Sequence, residues 1–269
     1  MTITMLSLIE KPIRTTGQNT LALVSILGRA GVFFARSVFF VFYLPFQWRR
    51  ILEQVYFIGA KSVTVIVLTG GFTGMVLGLQ GYYTLSKFGS EGLLGSAVAL
   101  TLIKELGPVL TAIMVIARAG SAMAAEIGIM RISEQIDALK TMNINPIRFL
   151  VSPRLLAGVL SFPLLTALFD TVGILGGYLT GSKLLGINSG IYFFRVEASV
   201  LMSDVREGFI KSVIFALVVI TVSCFHGYYT HMRKEGFGAK GVSLSTTTAV
   251  VQACVIVLIV DYVITSILL

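Results

Sequence analysis

The chain has 269 residues, of which 55% are hydrophobic and only 13% charged. Ordinary soluble domains carry roughly twice that charged fraction, so too few charges are present to clothe a water-facing surface. The net charge of +8 would suit a nucleic-acid partner if it were gathered in one patch, but its distribution along the chain points to a membrane instead.

The first apolar stretch runs from Leu21 to Leu44 and is interrupted by Arg29 and Arg36. Seven residues apart, the two arginines share a helix face, and Val32, Phe33, Phe40 and Val41 are available to the other. A helix with one basic and one aromatic stripe lies in the membrane interface more readily than it crosses. Trp48, Arg49 and Arg50 follow as an interfacial anchor. The arginines also break the apolar run that a signal peptide would need, although Lys11 and Arg14 resemble its basic start.

Five apolar blocks come next: residues 55–81, 93–129, 149–185, 209–231 and 246–268. The second is overlong, because about 37 residues at 1.5 Å each reach roughly 55 Å against a hydrocarbon core of about 30 Å. Gly107-Pro108 offers a bend there, and Pro108 leaves the carbonyl of Lys104 without a helical donor. The third block is also overlong and carries Pro153 and Pro163. The expected fold is therefore an all-α integral membrane protein, with an N-terminal interfacial helix, about five transmembrane helices and a short cytoplasmic helix. Residues 1–54 form the interfacial segment and 55–269 the transmembrane domain. With the N-terminus in the cytoplasm, fifteen of the 21 Lys and Arg fall in the inner segments 1–61, 118–154 and 231–244. Five fall outside, and Lys104 lies within a span. That bias sets the orientation and puts the C-terminus in a periplasm-like compartment. No fixed-period repeat or flexible linker divides the chain.

Chemistry-bearing motifs are scarce. Cys224 and Cys254 sit in apolar stretches, so neither a disulfide framework nor a thiolate metal site is suggested. His226 and His231 are five apart and do not share a helix face as a metal pair would. No Walker-type loop is present, so the chain does not hydrolyse nucleotide by itself. Gly120-Ser121-Ala122 lacks the nucleophile-elbow pattern. The chain reads as a non-enzyme.

Gly70, Gly74 and Gly78, with Gly71 beside them, make a small-residue ridge on the first span, and Ala117, Ser121 and Ala125 repeat the device on the second. Such ridges serve packing within one chain or a seam between two. Charges inside the spans are more informative, since each is costly unless compensated. Asp170 and Asp261 read as hydrogen-bonding groups between helices. Lys104 and Glu105, in the middle of the second span, point about 100° apart and so do not simply neutralise each other; they read as a polar feature of a substrate cavity.

Between the second and third blocks lies RISEQIDALKTMNINP, residues 131–146. Ser133 is a suitable N-cap, and Glu134 and Asp137 stand in or near the first turn, where the helix dipole favours acid. Ile132, Ile136, Leu139 and Met142 form one apolar stripe. Asn143 can take the left-handed conformation that closes a helix, and Asn145-Pro146 prevents its resumption. The acidic residues suit an anionic leaflet badly, so this short helix reads as a protein docking surface.

The run KELGPVLTAIMVIARAGSAMAAEIGIMRISEQIDALKTMNINPIRFLVSPR, Lys104 to Arg154, closely resembles the MlaE family of permeases, also called YrbE or Mce-associated permeases. GGFTGMVLGLQGY, Gly70 to Tyr82, and DYVITSILL, Asp261 to Leu269, match as well. The family usually has Gly where Asn143 stands, and both residues tolerate the left-handed conformation. The resemblance implies a homodimeric permease of the bacterial inner membrane that moves phospholipid along the path to the outer membrane and maintains outer-membrane lipid asymmetry. It implies two cytoplasmic ABC ATPase subunits that supply ATP and Mg chemistry, a periplasmic MCE-domain substrate-binding protein and a small cytoplasmic accessory subunit. It maps Leu79, Tyr82, Lys104 and Glu105 to a lipid cavity. It maps residues 132–143, with Glu134, Ile136, Asp137, Leu139 and Met142, to the helix that couples to the ATPase. Two alternatives are a self-sufficient secondary transporter or channel, which should show inverted repeats, and a non-transporting membrane scaffold, for which the docking helix alone would suffice.

Overall fold

The computed structural model describes residues 2–41, 47–232 and 238–268. Leu44, Arg233, Lys234 and Leu269 lie outside these residues, as do the side chains of Lys11 and Arg14. The described residues are helical, with no strand among them. In chain order the helices are α1 (Thr2–Val41), α2 (Trp48–Ile58), α3 (Val63–Ser86), α4 (Leu94–Thr101), α5 (Gly107–Val115), α6 (Ser121–Ile132), α7 (Gln135–Thr141), α8 (Ser152–Tyr178), α9 (Ser189–Ser199), α10 (Met202–Tyr228) and α11 (Ala239–Leu268). Several join into longer units through single tight or wide turns. Six units are long and apolar enough to cross a membrane: Val24–Val41, Trp48–Ser86, Glu91–Ile132, Ile147–Leu184, Met202–Tyr228 and Ala239–Leu268. The protein is an all-α, multi-pass membrane protein.

The last five units correspond to the five apolar blocks. The first, within α1, is the segment whose arginines favour an interfacial position. Its contacts lie at one end of the bundle. Arg29 Nη1 donates to Met232 Sδ at 3.5 Å, and Phe33 packs against Phe225, Tyr228 and Tyr229 in the last turns of α10. Arg36 and Phe40 border a cleft shared with Lys140, Asn145 and Tyr228. Residues 29 to 40, about 16 Å of helix, thus meet the end of α10 and the junction between α7 and α8, and α1 also packs against α8 itself.

At the centre α8 packs against α3, α10, α2 and α5, while α10 is flanked by α8, α11 and α6. Close approach of α3 to α8 is set by glycine. Gly70, Gly74 and Gly78 are buried and face Phe169, Gly173 and Gly177 on α8, and a Cβ on Gly74 would fall 1.8 Å from the Gly173 carbonyl oxygen. Of the two readings of this ridge, the structure gives packing within one chain. The second ridge differs, since Ala117 is exposed and Ser121 and Ala125 are half-buried.

The overlong second block is accommodated by two π-helical turns, Leu102–Leu106 and Ile116–Gly120. A π turn inserts one extra residue and re-aims the side chains it carries. The first holds Lys104 and Glu105 and ends just before Pro108; the second holds Arg118. Arg118 donates to the Phe57 carbonyl at 2.5 Å and to Ser62 Oγ at 2.9 Å. It thereby supplies donors where the helical ladder is interrupted at Gly59, between α2 and α3.

Candidate functional site

The charges of the second span converge on the start of α10 and the end of α11. Lys211 Nζ, whose side chain is 3% exposed, donates to Glu105 Oε2 at 2.7 Å, to Thr265 Oγ1 at 2.7 Å and to the Lys104 carbonyl at 2.9 Å. An ammonium has three N–H groups, and all three are used. Asp261 Oδ1 lies 3.2 Å from the same nitrogen, at ion-pair distance but without hydrogen-bond geometry. Thr265 in turn donates to Glu105 at 3.3 Å. Beside this cluster, Lys104 Nζ pairs with Asp204 Oδ1 at 3.0 Å and approaches Glu207 Oε2 at 3.9 Å.

The local sequence explains the assembly. Asp204, Glu207 and Lys211 follow the three- and four-residue spacing of one helix face on α10, and Asp261 and Thr265 stand one turn apart on α11. The π turn swings Lys104 and Glu105 to different neighbours, so the adjacent pair divides between an acidic partner set and a basic one. Lys104 and Glu105 remain 36% and 41% exposed. A charged cluster therefore stays reachable among apolar helices.

The placement corrects the mid-span reading of Lys104. Asp204 lies in the first turn of α10, so the pair sits near the end of the bundle where α10 begins, remote from α7. Asp261 does link two helices, though as an ion pair with Lys211 and not through the expected hydrogen bond. Asp170 does not: its Oδ1 is buried without a hydrogen-bond partner among the described residues. It faces Gly107, where a Cβ would fall 1.8 Å from it; the missing side chain leaves room for the carboxyl but brings no donor. Leu79 and Tyr82 stand on α3, Leu79 exposed and Tyr82 edge-on to Tyr83. Among the described residues no hydrogen bond, ion pair or ring contact joins them to Lys104 or Glu105, and within one chain they form a separate surface.

Sequence reasoning missed Asp204, Glu207, Lys211 and Thr265. The first three were legible as an i, i+3, i+7 charged stripe opening an otherwise apolar helix. Lys211 instead counted as a loop charge.

At the opposite end, α7 differs from its expected form in two ways. Ser133 closes α6, its hydroxyl donating to the Ile129 carbonyl at 2.8 Å, and Glu134 in the left-handed conformation precedes α7. More consequentially, Ile136 is fully buried and Leu139 packs half-buried on the core of the same chain. Ile136 and Leu139 hold α7 to its own chain, so Ile136 is not offered to a partner, whereas Ile132 and Met142 of the same stripe stay exposed. The face left open carries Glu134, Gln135, Ala138, Thr141 and Met142, the last 68% exposed. Asn143 is left-handed as expected (φ 57°), with its N–H donating to Lys140 and that of Ile144 to Leu139.

Asp137 accepts from Arg131 at 2.8 Å and from Lys140 at 2.9 Å, and these cations, Lys140 foremost, hold its carboxyl below the ordinary aspartate value. Arg131 also reaches the end of α10: its Nε donates to His231 Nδ1 at 2.8 Å. Burial, and then the Arg131 charge, lower the His231 pKa from its ordinary value. One guanidinium thus ties α6, α7 and the α10–α11 turn together. His226 is engaged elsewhere, 2.7 Å from Gln252 Oε1.

Comparison with known proteins assigns these features a family context. The model of a family described as Permease MlaE matches residues 51–267. An intermembrane phospholipid transport system permease protein MlaE of Haemophilus influenzae is 40% identical over 95% of this chain and 97% of that protein. A probable ABC transporter permease protein of Rickettsia bellii is 38% identical over 93% and 95%. The chloroplastic protein TRIGALACTOSYLDIACYLGLYCEROL 1 of Arabidopsis thaliana is 37% identical over 82% of this chain and 61% of its own length.

Proposed function

The chain belongs to the MlaE permease family, and on that premise we propose that it is the membrane subunit of an ABC transporter that moves phospholipid between the inner membrane and the path to the outer membrane. The observation that carries the reading is the half-exposed pair Lys104 and Glu105, braced by Lys211, Asp204 and Asp261 among apolar helices, and we assign this cluster to the wall of a transport groove. A phospholipid carrier needs an apolar surface for two tails and a few fixed polar groups for the head. A phosphate would meet Lys104 in a charge-assisted contact, and a headgroup amine would meet Glu105. Leu79 and Tyr82 supply apolar surface to the same lipid when two copies of the chain meet and bring α3 of one towards α5 of the other.

Transport requires an energy source, and two cytoplasmic ABC ATPase subunits supply it through ATP and Mg. Their contact is the open face of α7, with Glu134 and Met142 at its centre and Asp137 fixing its orientation; Ile136 and Leu139 seat the helix from behind. The positive charge bias supports a cytoplasmic α7 and N-terminus and a periplasmic C-terminus. On the periplasmic side the groove hands lipid to an MCE-domain protein. A small cytoplasmic accessory subunit completes the complex.

Phospholipid per purified dimer, measured by mass spectrometry, tests the site. Lys104→Ala, Glu105→Ala and Leu79→Glu should each lower it while the dimer persists. Normal lipid content in all three, together with restored transport in a deletion strain, would place the cavity elsewhere.

A further inference from the structure

Away from the groove, a cleft of about 570 Å³ lies between α1 and the junction of α7 with α8, bordered by Arg36, Phe39, Phe40, Lys140, Asn145 and Tyr228. We propose that this cleft binds an anionic phospholipid of the surrounding leaflet, with its phosphate between Arg36 and Lys140 and its acyl chains along α1. The site is distinct from the transport groove, which lies at the other end of the bundle.

Charge selects the headgroup. Among the described residues Arg36 makes no hydrogen bond or ion pair, so its guanidinium fork is free for a bidentate phosphate contact. Lys140 spends one N–H on Asp137 at 2.9 Å and retains two. No acid among the described residues borders the cleft, and Asp137, the partner of Lys140, is already shared with Arg131. The cleft therefore keeps a positive surplus, and the ammonium of a zwitterionic headgroup would find no carboxylate of its own. The Asn145 side chain accepts from the N–H groups of Ile147 and Arg148. The start of the α8 unit is thus already capped, and the anion depends on Arg36 and Lys140.

Apolar surface selects a lipid over a soluble anion. Phe39 is exposed and Phe40 half-buried beside the cationic pair, and Val32 and Leu27 continue an exposed apolar surface along α1. Arg36, Phe39 and Phe40 occupy positions i, i+3 and i+4, so charge and rings share one face, which corrects the expectation of a basic stripe and an aromatic stripe on separate faces of this helix. That arrangement is an interfacial helix with a headgroup contact built into it.

The full transporter complex in nanodiscs, photolabelled with phosphatidylglycerol or phosphatidylethanolamine analogues, tests the proposal. Phosphatidylglycerol should label peptides containing residues 35–40 and 140–147 in preference to phosphatidylethanolamine. Arg36→Ala should lower that labelling about tenfold, the loss expected for one charge-assisted contact, and Arg36→Lys should restore most of it. Labelling elsewhere on the chain should stay unchanged, which verifies the fold of each variant. Equal labelling by the two lipids, or labelling insensitive to Arg36→Ala, would overturn the proposal. So would displacement of the label by excess inorganic phosphate, the mark of a soluble-anion site.

Discussion

Lys211 on α10 donates its side-chain N–H to the backbone carbonyl of Lys104 at 2.9 Å, the same carbonyl that Pro108 leaves without a helical donor. A proline defect in one helix is thereby repaired by a cation from another. That cation is fixed, and it fixes Glu105 and Thr265 in turn. The π turn and the charged cluster belong to one arrangement.

Lys211→Met should therefore destabilise the protein by about 3 kcal/mol, since removal of one member of a buried ion pair strands the others. Glu105 and Asp261 would face each other uncompensated, and the Lys104 carbonyl would be unsatisfied. Combining Lys211→Met with Glu105→Gln and Asp261→Asn should recover part of the loss. Thermal unfolding in mild detergent measures both. A triple variant no more stable than Lys211→Met would show that carboxylate repulsion is not the cause.

The open and closed faces of α7 separate coupling from folding. Ile136 is buried in its own chain, so Ile136→Asp should lower permease yield and thermal stability before any partner is considered. Met142→Asp, on the exposed face, should leave yield and melting unchanged while weakening retention of the ATPase in a pull-down. Retention of the ATPase at the wild-type level by Met142→Asp would exclude the open face as the contact.

Two titrating groups at this end act in different pH windows. His231 has a folded pKa below 6.5, so the detached segment takes up a proton first. Its contribution is complete above about pH 6.5 and is lost as pH falls through the folded value. Protonation puts an N–H on His231 Nδ1 where it now accepts from Arg131. The Asp137 carboxyl is also lowered, from 3.8, so its contribution is complete above that value and lost only in stronger acid. As pH falls below about 6.5 the His231 tie should weaken first, while the Asp137 pairs hold. Spin labels at Ala138 and Met232 should give a distance distribution that broadens as pH is lowered stepwise from about 7.5 through the range below about 6.5, and His231→Gln should abolish that broadening.

What was legible in the sequence follows the range of the interactions involved. Helix number, the unusual second span, the left-handed end at Asn143 and the freed carbonyl of Lys104 all depend on residues within a few positions of one another. The partners of Lys104 and Glu105 lie about a hundred residues away or more, and their identity depends on which helices meet. Periodicity also identified the stripe of Ile136 and Leu139, but an apolar stripe specifies burial without saying in what. The Gly70–Gly74–Gly78 ridge left two readings for the same reason. Its match on α8, Phe169–Gly173–Gly177, has the same four-residue spacing, and pairing the two would have favoured packing within one chain.

Topology is tested by cysteine substitution at positions 3 and 269, outside and inside labelling being compared in intact cells. With α1 confined to the cytoplasmic interface and five crossings following, the two sites should react from opposite sides. Reaction of both from one side would require α1 to cross as a sixth span.

The α3–α8 contact yields the sharpest packing test because two neighbouring glycines make opposite predictions. A Cβ at Gly74 would fall 1.8 Å from the Gly173 carbonyl oxygen, 2.5 Å from its carbon and 2.7 Å from its Cα. All three are backbone atoms, so no side chain can rotate away and the helices must separate. A Cβ at Gly71 meets only Val172 Cγ1, at 3.5 Å, an ordinary contact. Gly74→Ala should cost about 1–3 kcal/mol, as overpacking of a tight core does. Gly71→Ala should be neutral or slightly stabilising, because Ala exceeds Gly in helix propensity by about 1 kcal/mol. Both changes add the same methyl group to positions one turn apart on one helix, so helix propensity largely cancels in the comparison. The melting temperature of the purified permease reads the difference. Equal melting of the two variants would mean that Gly74 does not lie against α8 in the folded protein, and the ridge would then be free to serve a seam between chains.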